Sequence, residues 1–388
     1  MTDYQSPLLN VDMRRRALLK AGCAGGLALA GIHAHAQGNH ASGATRVVTV
    51  AQIADMSTSQ IDVSKDYVIG ARAAWADINS KGGLRGTTVQ HLVLEVDGSA
   101  AALRNAIAQI KALPQCVALS GTVGDATASA ACTLATRELP DLPHIAPWLH
   151  HPDGDMGDTT FPIFAPRQLQ ITHALKSLST MGISSIGVVY ANPAEFKSNQ
   201  ATIAQLAQAL QLRVTPLPVQ ADLALLARSL DASSPRILVF LGGTPELLEF
   251  CQGVGKQAQQ RYIVAMADVN LQTLQQSNLT RHAAVIATQV VPLVTAPLPV
   301  VRQYRDAMTR LYDESPTPQS LAGFMAARYT FEALKALDGT PTRAALLGAL
   351  RTRPLIDLGG FAVTATAQRR SGSFVTQSML AGNGRVIG

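Results

Sequence analysis

Between residues 144 and 158 the chain concentrates side chains that could hold a metal ion. His144, His150 and His151 stand near Asp153, Asp155 and Asp158. Imidazole and carboxylate together suit a divalent transition metal. The spacing, however, matches neither a helical His-Glu-x-x-His pair nor a calcium loop, which needs a glycine after its third ligand. Pro152-Asp153-Gly154 reads instead as the turn of a polar surface loop. Gly253-Val254-Gly255-Lys256 is a partial phosphate loop, but Gln257 follows it where a hydroxyl would hold magnesium, its first glycine is missing, and it lies in a helical stretch. The sequence contains no Gly-x-Ser-x-Gly elbow and no Gly-x-Gly-x-x-Gly after a strand. Neither a catalytic set nor a cofactor is expected.

Charge narrows the partners. The formal net charge is +6, but the cations are scattered and no Lys/Arg stripe interleaves with aromatics, so nucleic acid is not an expected partner. The one basic run, Arg14-Arg15-Arg16, opens a segment with its own logic. Arg15-Arg16-Ala17-Leu18-Leu19-Lys20 leads into a mild apolar run, Ala21 to Ile32, and Ala34-His35-Ala36 precedes Gln37. That is the order of an export signal with a small-x-small cleavage site. The twin arginines point to the twin-arginine route, although Leu18 stands where phenylalanine is usual. Residues 1–36 are therefore expected to be a removable signal and 37–44 a leader, with Met13 an alternative start. A lipid anchor at Cys23 is disfavoured by Lys20 in the box before it. The mature chain keeps Cys116, Cys132 and Cys251, an odd number better read as buried thiols than as a disulfide framework, with a Cys116–Cys132 pair the alternative. No apolar stretch reaches the roughly 18–20 residues of a spanning helix, so membrane insertion is not expected.

The elements that must position any site alternate regularly. Strands are expected at Val47–Ile53, Val89–Val96, Val117–Leu119, Ser185–Tyr190, Leu212–Leu217, Ile237–Leu241, Tyr262–Met266 and Val285–Val290. Between the first two, Tyr67, Ala71, Ala74, Trp75 and Ile78 share one helical face, which Asn79 and Gly82-Gly83 end. Phe324, Ala327, Phe331 and Leu334 mark a later helix. Alternating strands and helices imply right-handed βαβ units and an α/β fold. Roughly eleven strands exceed one comfortable open sheet, so two doubly wound parallel-sheet lobes are expected.

Several runs, in order, carry a resemblance. They are Gly70-Ala71-x-Ala73-Ala74-x-Ala76-x-Ile78-Asn79-x-x-Gly82-Gly83-Leu84-x-Gly86, Leu94-Glu95-Val96-Asp97, Leu119-Ser120-Gly121-Thr122-Val123-Gly124, Leu142-Pro143-His144-Ile145-Ala146-Pro147, Gly323-Phe324-x-Ala326-Ala327-Arg328 and Leu358-Gly359-Gly360-Phe361. Together they resemble the leucine/isoleucine/valine-type periplasmic substrate-binding proteins of ABC transporters over nearly the whole mature chain. The resemblance implies a type 1 periplasmic binding fold: two lobes joined by three crossings, lobe one at 45–165 plus 292–354 and lobe two at 166–291 plus 355–388. It further implies a small ligand in the cleft, a monomer, and an ABC permease as partner, or alternatively a sensor kinase.

The resemblance also implies where the ligand sits, and there this sequence departs from the pattern. Met56 and Ser57 occupy the first β–α loop, with Thr58 in place of glycine. Asp125 takes the position of a carboxylate-binding serine, leaving Thr127 as the hydroxyl of that turn; the plain alternative for Asp125 is an N-cap for a helix at Ala126–Arg137. After Ala146, Trp148 replaces a small residue and His150 a threonine. Trp148 would then fill the cleft, stack on a ligand or be a buried structural residue. In lobe two Tyr190 and Phe196 flank the expected pocket, and Asp268 aligns with the acid that receives an ammonium group, unless it only caps the turn ahead of Val269-Asn270. A cationic, aromatic or amide-bearing molecule suits this set better than a branched-chain amino acid. A cleft enzyme is the remaining alternative, disfavoured by the missing nucleophile and base.

Overall fold

The computed structural model describes residues 47–151, 156–256, 259–277, 283–352, 355–364, 372–380 and 386–388. The expected signal and leader lie outside the described residues, as does the turn at residues 152–155. The described residues belong to one unit, Thr45–Gly388.

The chain opens with β1 (Val48–Asp55), α1 (Ile61–Ser80), β2 (Val89–Val96), α2 (Ala100–Lys111), β3 (Cys116–Ser120), α3 (Asp125–Glu138), β4 (His144–Ile145) and β5 (Thr160–Phe161). These strands form a parallel sheet in the order β2-β1-β3-β4-β5. Alternate residues of β1 enter opposite cores, which is why the strand is buried throughout and mostly apolar. Val48, Val50 and Ala54 pack under α1, and Ala51 and Ile53 under α2 and α3.

A second set follows: α4 (Arg167–Thr180), β6 (Ser185–Tyr190), α5 (Pro193–Ala209), β7 (Arg213–Pro216), α6 (Leu223–Ser229), β8 (Ile237–Leu241), α7 (Thr244–Val254), β9 (Arg261–Ala265), α8 (Leu271–Gln276) and β10 (Ala283–Gln289). Its sheet runs β7-β6-β8-β9-β10 in parallel, the same doubly wound order as the first. Val188 and Val239 face α4 and α5, while Val189 and Phe240 face α6 and α7.

The chain then returns to the first lobe with α9 (Pro299–Leu311), α10 (Pro318–Lys335), α11 (Arg343–Thr352) and a hairpin of β11 (Leu355–Asp357) and β12 (Ala362–Thr364). It ends with β13 (Thr376–Leu380) and β14 (Val386–Ile387), antiparallel additions to the second sheet beside β10. Ile356, Leu358 and Val363 belong to the core under the first sheet. The last passage between sheets therefore falls after residue 364, later than the boundary at 354/355 that the motifs imply. The hairpin packs against α10, and Phe361 in its turn stacks edge-on against Phe374.

Two glycines of the quoted motifs have a packing reason. A Cβ on Gly70 would collide with the Ser320 carbonyl, and one on Gly323 with the Tyr67 carbonyl. Glycine lets α1 and α10 approach backbone to backbone and bury the Tyr67, Ala71 and Trp75 face. The three cysteines among the described residues, Cys116, Cys132 and Cys251, are free and buried, so Cys116 and Cys132 do not pair. Among the described residues, no helix is long and apolar enough to cross a membrane.

Candidate functional site

In a doubly wound sheet ligands bind beyond the carboxyl ends of the strands, where the strand order reverses. Both sheets present such an end, and the residues named from the sequence fall there: Met56 and Ser57 after β1, Asp125 and Thr127 after β3, Ala146, Trp148 and His150 after β4, Tyr190 and Phe196 after β6, and Asp268 after β9.

One group closes on itself around Asp55. Its carboxylate accepts the Ser57 amide at 2.9 Å and the Thr127 hydroxyl at 2.7 Å. Gly124 lets the loop reach this acid, because its φ of 101° favours glycine and a Cβ there would press against Asp55. The Thr127 hydroxyl is thus committed inside the lobe. The Met56 amide donates to the Val96 carbonyl at 2.7 Å, and its side chain packs on the first core.

Asp125 is not the helix cap. Gly124 holds the N-cap position of α3, and Asp125 is the first helical residue. Its carboxylate instead accepts the backbone amides of His150 and His151, at 2.6 and 3.0 Å, and His151 Nδ1 at 2.6 Å. The acid therefore staples the loop after β4 to the start of α3, a job that helix-capping statistics do not anticipate. Burial alone would raise this carboxyl, but the His151 hydrogen bond and the two neighbouring imidazoles hold it below its usual range. Burial works against charge on His151 too, and the bond to Asp125 overcomes it, raising the imidazole above its ordinary value.

The loop after β4 carries the deepest side chains. Ala146 takes a φ of 51°, unusual for a residue with a Cβ, and its carbonyl accepts the Tyr67 hydroxyl at 3.0 Å. This bend turns the chain inward, so His144 and His150 are buried rather than on a surface loop, while Asp158 stays outside, paired with Arg351. Trp148 is 1% exposed and packs edge-on against Tyr67, Phe164 and His150. It is a buried residue wedged against the first core, and its indole Nε1 has no hydrogen-bond partner.

Beyond Trp148 the two lobes meet. His150 Nε2 lies 2.8 Å from Asp268, and His150 Nδ1 lies 2.9 Å from Gln170 Nε2 on α4. Asp268 is also bound by Arg167, the first residue of α4. Burial would push the Asp268 carboxyl up, but the Arg167 guanidinium and the His150 ring hold it far below the usual carboxylate range. Asn270, not Asp268, caps α8, and its side chain donates to Asp66 on α1 at 2.9 Å. Asn199 on α5 reaches His151 at 3.3 Å and Glu195 at 2.9 Å. Gln319 on α10 donates to the Ala267 and Val269 carbonyls at 3.1 and 3.2 Å. Tyr190 and Phe196 stack edge-on at 5.1 Å within the second lobe.

Sequence reasoning missed Arg167, Glu195 and the α1 acids Asp62 and Asp66, and read His151 only as part of a polar surface loop. Arg167 did leave a signal, since a cation in the first turn opposes the helix dipole and calls for a nearby acid. Asp62 and Asp66 left none, being ordinary residues for an exposed helix start. In the structure burial raises both, Asp66 to about 6. Among the described residues no cluster of His, Cys, Asp and Glu could hold a metal.

Two lobes of the same doubly wound order, joined by three passages and meeting at their strand ends, define the type 1 periplasmic binding fold. The chain belongs to the periplasmic binding protein family, whose model matches residues 47–382. Solved structures agree on the fold. An extracellular ligand-binding receptor from Verminephrobacter eiseniae superposes with a TM-score of 0.78 at 19% identity, covering 88% of this chain and 99% of that one. A substrate-binding periplasmic protein from Ralstonia solanacearum gives 0.76 at 22% identity over 88% and 99%. A branched-chain amino acid transporter substrate-binding protein from Streptococcus pneumoniae, in complex with isoleucine, gives 0.73 at 16% over 88% and 97%. Among curated proteins, none matches the chain.

Proposed function

We propose that this chain is an exported solute-binding protein that captures one small molecule between its lobes and presents it to an ABC permease. The carrying observation is the meeting of polar side chains from both strand-end faces, several of them buried with atoms left unpaired: Trp148 Nε1, Arg167 Nε and Nη1, and both Asp62 oxygens. Buried polar atoms cost about 1–3 kcal/mol each when unpaired, so a fold that retains several at one place is suited to a polar ligand. The family supports the class. The ligand is amino-acid-like in size but, with Asp125 and Asp268 both ionised and Trp148 filling space, better matched to a cationic, amide-bearing or aromatic compound. Met56, Ser57, Asp125, Thr127, Ala146, Trp148, His150, Tyr190, Phe196 and Asp268 line or support that site. The protein acts as a periplasmic monomer, exported by the twin-arginine route, with no catalytic step.

A thermal-shift screen of the mature protein against amino acids, amides, amines and aromatic acids tests this. A true ligand at a hundred times its Kd should stabilise by about 2.7 kcal/mol and lower the radius of gyration in small-angle scattering as the lobes close. Absence of both effects across the whole panel would overturn the reading. Turnover of any panel member would overturn the non-enzymatic part.

A further inference from the structure

Gln170, on α4, is fully buried and uses both ends of its amide where the lobes meet. Its Oε1 accepts the Ala267 backbone N–H, just after β9, at 3.0 Å and the Thr288 hydroxyl, on β10, at 3.2 Å. Its Nε2 donates to the Ala165 carbonyl at 3.1 Å. A backbone N–H can only donate and a carbonyl can only accept, so the amide has one orientation. Turned over, it would set N–H against N–H at Ala267 and oxygen against oxygen at Ala165.

The same Nε2 lies 2.9 Å from His150 Nδ1. An amide nitrogen only donates, so Nδ1 accepts and the ring proton of His150 stands on Nε2. That nitrogen is 2.8 Å from Asp268 Oδ1. The other tautomer would turn a lone pair toward the carboxylate. The N–H is not aligned on that oxygen, however, and it is buried without a completed hydrogen bond. Trp148, whose ring centroid is 4.8 Å from that of His150, leaves its indole N–H unpaired as well. A buried donor without an acceptor is costly, so this point suits an oxygen brought in by a bound molecule.

We propose, resting on the solute-binding reading above, that Gln170 is a positioning residue of the site. It fixes His150 as an N–H donor at Nε2, and the ligand group seated there is an oxygen acceptor, a carboxylate or a carbonyl. The tautomer of a side chain carried by the loop after β4 is thereby set from α4 and the second sheet.

Heteronuclear NMR of the mature protein with isotopically labelled histidine, at neutral pH, reads which ring nitrogen carries the proton. The signals missing from His150→Asn assign the residue. His150 should show a protonated Nε2 and a bare Nδ1. Asp268→Asn should keep that pattern, because Gln170 is untouched. Gln170→Glu should place a proton on Nδ1, because a carboxylate oxygen replaces the amide N–H; lost packing alone would not choose between the two nitrogens. A wild-type ring protonated at Nδ1, a proton moved by Asp268→Asn, or a bare Nδ1 in Gln170→Glu would each overturn the positioning role, and either variant decides if the other fails to fold. These spectra need no ligand, so they stand apart from the solute-binding reading. The acceptor is tested by calorimetric titration with isobutyrate, isobutyramide, benzoate and benzamide against isobutylamine and benzylamine. At least one oxygen compound should bind at least about tenfold more tightly than the amine of its skeleton. An amine that binds as tightly, or silence from all four oxygen compounds, would overturn the acceptor, while the broader screen above decides solute binding separately.

Discussion

Replacing Arg167 by methionine should destabilise the protein by about 3–5 kcal/mol, because it strands a buried acid. The Arg167 side chain is 3% exposed and that of Asp268 14%, so solvent screens the pair little. Without the guanidinium, the remaining close polar partner is the His150 ring, whose Nε2 lies at 2.8 Å. Burial, opposed then by His150 without the guanidinium, would push the Asp268 carboxyl upward. Substituting both partners, Arg167→Met with Asp268→Leu, removes the charges together and should recover most of the loss. Urea unfolding at neutral pH of the wild type, each single variant and the double variant would give the coupling energy. The acid limb supplies an independent check. Asp268 is held below its unfolded value, so its stabilisation is present above the ordinary carboxylate pKa and is lost as pH falls through the depressed one. Asp268→Leu should therefore flatten the decline in stability below about pH 4. Single variants costing less than about 1 kcal/mol, the range of exposed pairs, would refute the account of a buried, mutually dependent pair.

Three further outcomes follow from the same geometry. Asp125→Ser should cost about 1.5–3 kcal/mol in urea unfolding, because two loop amides and an imidazole lose a charged acceptor; a neutral result would mean that the acid is only a helix-start residue. His151 is raised by Asp125, so its stabilisation is complete below the unfolded imidazole pKa of about 6.5 and disappears as pH rises through the higher folded value. His151→Gln should remove that neutral-range slope from a plot of urea midpoint against pH. Trp148→Ala should cost about 3–5 kcal/mol whether or not ligand is bound, as expected for a large side chain packed among Tyr67, Phe164 and His150, and a loss seen only with ligand would make Trp148 a stacking residue rather than a packed one.

The longer elements were legible because they are apolar over enough residues to show a period. All eight strands expected from the sequence occur, within a few residues of their expected ends. The α1 and α10 faces follow from Tyr67, Ala71 and Trp75 and from Phe324, Ala327 and Leu334. The strands that escaped notice, β4, β5 and β11–β14, run from two to five residues, most too short to show alternation. At the site, the loops were legible but the bonding was not. Thr127 and Asp125 were read as groups offered to a ligand or to a helix end, and they bond instead to Asp55 and to the loop at residues 150–151.

What the sequence determined alone was the order of strands and helices, the doubly wound α/β class and the family, because these rest on local periodicity and on motif runs that keep their spacing. The pairing of charges was decided only by the tertiary structure. Arg167 and Asp268 are separated by 101 residues, Asp66 and Asn270 by 204. Such partners are chosen by where two sheets end and by how much water the junction excludes, and burial gives each charge its strength. No local pattern encodes a dielectric, so the acids of α1 looked like solvated residues until the second lobe was packed against them.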